Sequence, residues 1–278
     1  MTSTGIRQLV LVAATFWLIA SGTGCATPAR PDPLEPMNRG IFAFNEALDR
    51  YALEPVARGW DYVLPSEVQK GIDNFFLNLG MPIVFANDLL QLKPKAASYD
   101  LVRFLENTIF GLAGVIDIAS RVGVPENDED FGQTLGYWGV PSGPYLVVPI
   151  LGPYTLRDGF GEVVDTTAAA YAYTNPFWMD VVGLNDAETA GASIGMKGLE
   201  LLNLRAIYLE EIEGSHKDAF DYYVFVRNAY LQSRRAQVAD QTDAPVVDDE
   251  DLYFLDEDEE GGDAGEGYED EDYDYDEL

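Results

Sequence analysis

One short segment of the chain has the spacing of a hydrolase nucleophile. The residues GASIG, 191 to 195, match the G-x-S-x-G pattern, in which Ser193 would attack an ester as in a phospholipase. That chemistry needs a strand before the serine, a helix after it, and an acid and a histidine to activate it. The preceding NDAETA is typical of a helix start, and the only histidine, His216, is predicted to be exposed at a helix start. We interpret the match as chance and predict that the protein is not an enzyme.

The side chains that usually bind metals are too few for the common sites. The chain has one histidine and one cysteine, whereas zinc sites combine several such ligands. The acids of PENDED, residues 125 to 130, have the chemistry to hold a hard cation, but they are more typical of a solvated loop. The chain has no P-loop motif, and no G-x-G-x-x-G follows a predicted strand. We expect no metal and no cofactor, and a role in binding or transport.

The single cysteine, Cys25, follows a targeting segment. Leu9 to Ala20 form an apolar run of 12 residues, and the small residues 21 to 24 come next. This run is shorter than the ~20 residues that cross a bilayer, and it fits a secretory signal. We predict a signal peptide over residues 1–24 and lipidation of Cys25, which would become the first residue of a bacterial lipoprotein. The alternative is an ordinary signal peptide with an incidental cysteine, because Gly22 stands where lipoproteins usually have leucine.

The acidic charge is concentrated at the C-terminus. Of the formal net charge of -31, residues 240–278 contribute 20 of the 48 acids and none of the 17 bases. A chain this acidic does not bind nucleic acid by neutralising phosphates. The density of like charge predicts a disordered tail over residues 240–278. Its interleaved aromatic residues leave open a docking role on a basic partner, and the alternative is a solvated tail that aids solubility.

The spacing of apolar residues between the signal peptide and the tail is mostly helical. It predicts a mainly α protein with a single domain over residues 25–239. A first helix follows Asn38, and Pro55 is expected to break it. The next helix is predicted to have Ser66 as its N-cap and to be interrupted at Met81-Pro82, where the chain restarts.

Three later helices complete this prediction. One covers residues 95–110, and two long ones cover residues 187–212 and 216–239, with Gly214 at the break between them. No alternation of period two is long enough to predict a sheet. The side chains expected to face inward from the helix of residues 95–110 are Leu101, Val102, Leu105 and Ile109.

Two glycine-rich segments depart from the helical pattern. Residues 108–125 are apolar and contain Gly111 and Gly114, which either allow close helix packing, as in membranes, or end a buried helix in a loop. Residues 130–161 are crowded with glycine and proline, so we predict short extended pieces and turns on a rigid scaffold. The aromatic side chains presented from this segment are predicted to be Trp138, Tyr145 and Tyr154.

Several motifs, in one order along the chain, resemble a known family. They are DPLEPMNRGIFAFNEALDRYALEPVA, IDNFFLNLGMP, VRFLENTIFGLAGVIDIAS and FGQTLGYWGVPSGPYLVVPILGPYTLRD. They are similar to the MlaA/VacJ outer-membrane lipoproteins, closely over residues 32–158 and loosely to about residue 235. The acidic tail is an extension that the resemblance does not explain.

The resemblance implies a ring-like helical lipoprotein at the periplasmic face of the outer membrane, beside a trimeric porin. An amphipathic channel would take mislocalised phospholipids from the outer leaflet and pass them to a soluble periplasmic carrier, which maintains lipid asymmetry. The alternative function is that of a structural outer-membrane lipoprotein scaffold. The residues that we assign to the channel are Phe44, Asn45, Gly111, Gly114, Gly139, Gly143 and Tyr145.

The loop of residues 136–145 is our candidate for a gate beside that channel. Gly139 and Gly143 permit backbone angles that other residues avoid, and Pro141 and Pro144 fix theirs. This alternation is suited to a stiff tip on flexible hinges. The alternative is a fixed turn that closes the ring.

Overall fold

The computed structural model describes residues 32–173 and 186–240, which are mainly helical, as predicted. The predicted signal peptide, Cys25 and residues 241–278 of the predicted tail lie outside these residues. In chain order the elements are α1 (Glu35–Leu48), a π-helical turn (Asp49–Leu53), α2 (Glu54–Val63), α3 (Ser66–Leu90), α4 (Pro94–Ile109), α5 (Ile118–Arg121), α6 (Phe131–Tyr137), β1 (Tyr145–Val148), β2 (Gly152–Thr155), α7 (Leu156–Tyr173), α8 (Asp186–Ile207), α9 (Leu209–Asp218) and α10 (Tyr222–Val238).

The two prolines that were expected to interrupt helices do not do so. Pro55 lies in the first turn of α2, where its missing N–H costs little, and the π-helical turn before it lets the chain continue. Pro82 lies inside α3, which runs unbroken for 25 residues. An interior proline costs a helix about 3 kcal/mol. The packing of α3 against α4 offsets that cost.

The predicted helix boundaries at Ser66 and Gly214 are also wrong. Pro65 is the N-cap of α3, and Ser66 is already helical. Gly214 lies inside α9, and the breaks come at Tyr208 and just before α10. Asp221 caps α10, because its side chain accepts a hydrogen bond from the Val224 N–H at 3.2 Å.

The Gly/Pro-rich segment contains a small antiparallel β-hairpin, so the expectation of no sheet is wrong. Tyr145 pairs with Thr155, and Val148 pairs with Gly152. Strands of four residues are too short for an alternating pattern to stand out in the sequence. The extended pieces predicted here are confirmed, but the helix α6 before them was not predicted. The side chain of Asp130 caps α6 by accepting a hydrogen bond from the Gln133 N–H at 2.8 Å.

The interior is unusually polar. Among the described residues, twice as many polar or charged side chains are buried as apolar ones. The buried apolar side chains form two small clusters, of which one is Ala57, Ala206 and Leu209. The other, which we call the aromatic core, consists of Tyr145, Val147 and Tyr223. None of the helices within the described ranges combines the length and apolar character needed to cross a membrane.

Candidate lipid-handling site

The buried face of α4 is polar and organises the loop that follows it. Arg103 donates a hydrogen bond from Nη1 to the Val124 carbonyl at 2.8 Å and pairs through Nη2 with Asp117 at 3.2 Å. Asn107 donates to Asp117 at 3.1 Å and accepts from the Ile118 N–H at 2.8 Å. Burial opposes ionisation of Asp117, but its hydrogen bonds and the charge of Arg103 lower its pKa. Polar side chains on α4 therefore hold the glycine-rich loop in place.

The apolar face of α4 points outward. We define this face as Leu101, Val102, Leu105 and Ile109, which are between 40% and 65% exposed. The prediction that these side chains face inward is wrong. A buried face that is hydrogen-bonded internally and an apolar face left outside are what a helix at a lipid surface requires. Further exposed apolar side chains in the same region are Leu77, Leu89, Leu90, Leu92, Phe110 and Leu112.

Two asparagines of α1 fix the β-hairpin. Asn45 donates to the Val148 carbonyl at 3.0 Å, and Asn38, two turns earlier, donates to the Tyr145 carbonyl at 3.0 Å. Both side chains also accept a backbone N–H from the hairpin. Phe44, next to Asn45, is 53% exposed. Asn45 thus clamps the hairpin to α1, and Phe44 belongs to the exposed apolar surface.

The prediction that Tyr145 is presented from its segment is wrong. It is 3% exposed, and its ring lies 6.3 Å from that of Tyr223 and 6.1 Å from that of Tyr230. Burial raises the pKa of Tyr145 to about 12. Tyr145 is therefore a core residue. Trp138 is exposed as predicted, and Tyr154 is half-buried.

Gly111 and Gly114 occupy a tight turn after α4. Gly114 has a φ of +99°, and a Cβ there would lie 2.5 Å from Cβ of Asn78. A Cβ on Gly111 would lie 2.1 Å from the Ile116 carbonyl oxygen. Of the two interpretations of this segment, the structure supports the loop that ends a helix, and not helix packing as in membranes.

Gly139 and Gly143 also have positive φ values, +83° and +70°. A Cβ on Gly139 would meet no atom within 4 Å, whereas one on Gly143 would lie 3.1 Å from Cβ of Leu156. The two glycines are thus needed for backbone conformation, and the hinge remains a prediction. The seven assigned channel residues lie in α1, in the turn after α4 and in the segment from Gly139 to Tyr145, and their role in a channel stays a prediction.

A charged cavity of about 410 Å³, which was not predicted, lies next to the π-helical turn. One signal was present in the sequence: Glu46, Arg50, Glu54 and Arg58 recur every four residues, which predicts a charged helical stripe. The other wall comes from α8 and α9, far away in the chain. The residues that line the cavity are Glu46, Asp49, Arg50, Glu54, Arg58, Arg205, Ile212, Glu213, His216 and Lys217.

Arg205 is the buried cation of this cavity. Its side chain is 7% exposed and makes a bidentate pair with Asp49, through Nε at 2.8 Å and Nη2 at 3.0 Å. These hydrogen bonds raise the pKa of Arg205, so it stays charged. Within the described part of the chain, Nη1 has no hydrogen-bond partner. Arg205 therefore lines the cavity and also carries a buried donor that is unsatisfied among the described residues.

His216 lies inside α9 and is partly buried, so the prediction of an exposed residue at a helix start is wrong. Its Nε2 is 3.1 Å from Oε2 of Glu46, and its ring stacks on Tyr222 with centroids 3.6 Å apart. Burial raises the pKa of Glu46, and the neighbouring His216 opposes that shift. Ser193 lies inside α8 with no strand before it, so the local structure of a nucleophile elbow is absent at this serine.

Of the four acids in residues 125–130, Glu126 and Asp128 are exposed, as the solvated-loop interpretation predicted, whereas Glu129 and Asp130 are at least partly buried and paired. Glu129 contacts Lys93 at 2.8 Å, and Asp130 contacts Arg234 at 2.6 Å. Across residues 32–173 and 186–240, no group of three or more His, Cys, Asp or Glu side chains is arranged to hold a metal ion.

Exposed apolar helical faces, a polar interior and a charged cavity are together typical of a protein that handles amphipathic molecules at a membrane. A family model described as "MlaA lipoprotein" matches residues 30–237. This match covers well over half of the chain, so the protein belongs to the MlaA lipoprotein family, as the resemblance predicted.

Relatives with the same description share much of the chain. A Haemophilus influenzae protein described as "Intermembrane phospholipid transport system lipoprotein MlaA" is 38% identical over 231 residues, covering 78% of this chain and 86% of the relative. An Escherichia coli K12 protein with that description is 34% identical over 232 residues, covering 82% and 86%.

A solved structure also matches, with a TM-score of 0.63 and 33% identity over 75% of this chain and 100% of its own. It is described as "Structural basis for maintenance of bacterial outer membrane lipid asymmetry".

Proposed function

We propose that the protein removes mislocalised phospholipids from the outer leaflet of the outer membrane and so maintains lipid asymmetry. It is a transport lipoprotein and not an enzyme. Relatives at 34% and 38% identity are intermembrane phospholipid transport lipoproteins, and the matching solved structure concerns outer-membrane lipid asymmetry. Family membership over residues 30–237 supports the transfer of this function.

The observation that carries the proposal is the inverted polarity of α4. Its apolar face is exposed, and Arg103 and Asn107 on its other face are buried and hydrogen-bonded. Exposed apolar side chains of this number are costly in water and favourable in the acyl region of a bilayer. We infer that α4 and its neighbours lie at a lipid surface.

The charged cavity supplies the polar part of a phospholipid path. A phospholipid needs polar surroundings for its headgroup and apolar surroundings for its tails, and these two requirements match the cavity and the exposed apolar side chains. A soluble periplasmic carrier would then collect the lipid, so transfer is passive or driven by that partner. A ring-like arrangement around an amphipathic channel is part of this proposal.

Anchoring at the periplasmic face is proposed to come from Cys25 and to be reinforced by the exposed apolar side chains. A single acyl chain binds membranes only marginally, so stable attachment needs several chains or added apolar contact. We further propose that the protein sits beside a trimeric porin, and that the loop of residues 136–145 moves as a gate.

Lipid extraction from the purified protein, followed by mass spectrometry, tests this function. Intact phospholipid bound to both the wild type and Ser193→Ala is the expected result. Lysophospholipid that disappears in Ser193→Ala would show a phospholipase instead. Recovery of no lipid, combined with normal outer-leaflet composition in cells that lack the protein, would favour a structural scaffold.

A further inference from the structure

We propose that the charged cavity binds a zwitterionic phospholipid headgroup, with the phosphate near Arg205 and Arg50 and the ammonium near Glu46. This inference deepens the proposed function and rests on it. It names the headgroup chemistry, which neither the family nor the sequence motifs specify.

The formal charges that line the cavity are balanced. Four acids line the cavity (Glu46, Asp49, Glu54, Glu213), and so do four permanent cations (Arg50, Arg58, Arg205, Lys217). A cavity with no net formal charge has no strong preference for a simple anion or a simple cation. A ligand that carries both charges can pair with both kinds of group at once.

Part of the positive charge at the cavity lacks a hydrogen-bond or ion-pair partner among the described residues. Asp49 occupies Nε and Nη2 of Arg205, and Nη1 is buried with no acceptor among the described residues. A buried donor without a partner costs about 1–3 kcal/mol, so a ligand acceptor that reaches Nη1 from the cavity would be bound favourably. Arg50 also lines the cavity and makes no ion pair within the described ranges. A phosphate group can accept hydrogen bonds from both residues.

Glu46 is the candidate acceptor for an ammonium group. Glu46 lines the cavity, and Oε2 of its carboxylate lies 3.1 Å from Nε2 of His216. Burial raises the pKa of Glu46, which means that its charge is incompletely compensated by its neighbours. An ammonium group supplies that compensation. By contrast, the acids Glu54 and Glu213 are already paired with Arg58.

The size of the cavity suits a headgroup and not a whole lipid. Its volume of about 410 Å³ lies at the lower end of the range for small-molecule sites. Ile212 is the only apolar residue in the lining, so acyl chains would remain outside. A glycerophospholipid would therefore enter headgroup first.

The test measures binding of short-chain lipids to the full mature protein in a non-ionic detergent. The probes are dihexanoyl phosphatidylethanolamine, dihexanoyl phosphatidylglycerol and inorganic phosphate, each titrated by calorimetry. We expect the ethanolamine lipid to bind ~5–10-fold more tightly than the glycerol lipid, a difference of about one ordinary hydrogen bond. Inorganic phosphate should bind more weakly than either lipid.

Two variants assign the two halves of the site. Arg50→Gln should lower the affinity for both lipids by ~5–10-fold, because it removes a phosphate contact. Glu46→Gln gives the cavity a net positive charge. It should therefore lower the affinity for the ethanolamine lipid and raise the affinity for the glycerol lipid. The control is Arg121→Gln, since Arg121 is an exposed arginine that does not line the cavity, and its affinities should equal those of the wild type. Circular dichroism checks that every variant is folded.

Several results would overturn the inference. Equal binding of the two lipids that is unchanged in Glu46→Gln would show no headgroup selection. Inorganic phosphate binding as tightly as the ethanolamine lipid would reveal a plain anion site. Normal clearance of outer-leaflet phospholipid together with either result would reject this inference alone and leave the proposed function intact. Headgroup-selective binding without clearance in cells would reject the proposed function and leave the binding site.

Discussion

Two parts of the domain use opposite polarity. In α3, α4 and the loop after them, Arg103 and Asn107 are buried and Leu101 and Leu105 are exposed. Where the β-hairpin meets α10, the aromatic core is buried, with Leu231 packed against it. The second part has the arrangement of a protein folded for water, and the first has the reverse arrangement, which the proposed function explains by contact with lipid.

This difference indicates which interactions stabilise each part. Around α4, Arg103 and Asn107 hydrogen-bond to Asp117 and to the backbone of the following loop, whereas Asp100 is buried without a hydrogen-bond partner among the described residues. Under the proposed function, the apolar side chains of α4 gain their stabilisation from lipid. Around α10, apolar burial acts together with a buried ion network. Arg234 contacts Asp130 at 2.6 Å and Asp158 at 3.1 Å, and its side chain is only 12% exposed. The following variants are expected to separate the two cases.

The largest effect is expected from Arg234→Met. Removing this cation leaves the buried Asp158 with only Arg157 as its basic partner, and breaking a buried pair in this way costs about 3–5 kcal/mol. Chemical unfolding in a non-ionic detergent measures the loss. Arg235→Met is the control, because Arg235 is exposed, and it should change stability by less than ~0.5 kcal/mol. Equal losses in the two variants would contradict the importance of the network.

The same variant has a defined pH dependence. Arg234 lowers the pKa of both Asp130 and Asp158, although burial opposes the shift. The stabilisation is therefore complete above the unfolded pKa of about 4 and is lost as the pH falls through the lower folded values. The stability gap between wild type and Arg234→Met should narrow below pH ~4. A gap that stays constant would argue against an electrostatic origin.

Glycine substitutions compare the turn after α4 with the loop before the hairpin. Gly114→Ala should cost about 3 kcal/mol, because a positive φ and a clash with Asn78 add together. Gly139→Ala should cost only about 1–2 kcal/mol, since its surroundings are open. Thermal unfolding of the two variants checks the order. The reverse order would mean that the loop of residues 136–145 is packed more tightly than the structure indicates.

A lysine introduced at an exposed or at a packed leucine distinguishes a side chain that contacts lipid from one that packs in the core. In a Cys25→Ser background, Leu105→Lys should weaken vesicle binding by about 1–2 kcal/mol, because a charge then enters the lipid interface. Its unfolding in detergent should be nearly unchanged. Leu231→Lys should lower the stability measured by unfolding and leave vesicle binding nearly unchanged, because Leu231 packs on the aromatic core. Vesicle flotation and unfolding curves give the two readouts, and loss of stability in Leu105→Lys would place that residue in a core.

The smallest effect concerns a buried carboxyl pair between α3 and α4. Asp88 and Asp100 are fully buried, and burial together with Asp100 raises the pKa of Asp88 to about 7. Lys93 and Asn127 oppose this shift at Asp88. Burial also raises the pKa of Asp100, where Glu129 adds to the shift and Arg103 opposes it. The folded state therefore binds more protons than the unfolded state between pH ~4 and 7, so stability should fall as the pH rises through that range.

Asp100→Asn checks this sign. The substitution removes one charge of the pair. The dependence of the unfolding free energy on pH should therefore become shallower, and stability at pH 8 should rise by roughly 1–2 kcal/mol. Asp218→Asn, at an exposed position, should leave the slope unchanged. A steeper dependence of stability on pH in Asp100→Asn would contradict the idea that burying two carboxylates together destabilises the folded state.

The sequence determined the helical class, the family and most helices. Local signals were sufficient for these features, because apolar spacing near 3.6 residues and ordered motifs both lie within short segments. Other boundaries had readable signals that were missed. Asp130 and Asp221 are ordinary helix caps placed before apolar residues, and they predict the starts of α6 and α10.

Only the tertiary structure decided which face of each helix is inside. The spacing of Leu101, Val102 and Leu105 shows that α4 has two different faces, but the same spacing fits a helix in water and a helix in lipid. The hydrogen bonds of Arg103 and Asn107 to the following loop show that the polar face of α4 is the buried one. The cavity likewise joins Asp49 to Arg205, which are 156 residues apart, and no local pattern encodes a contact at that separation.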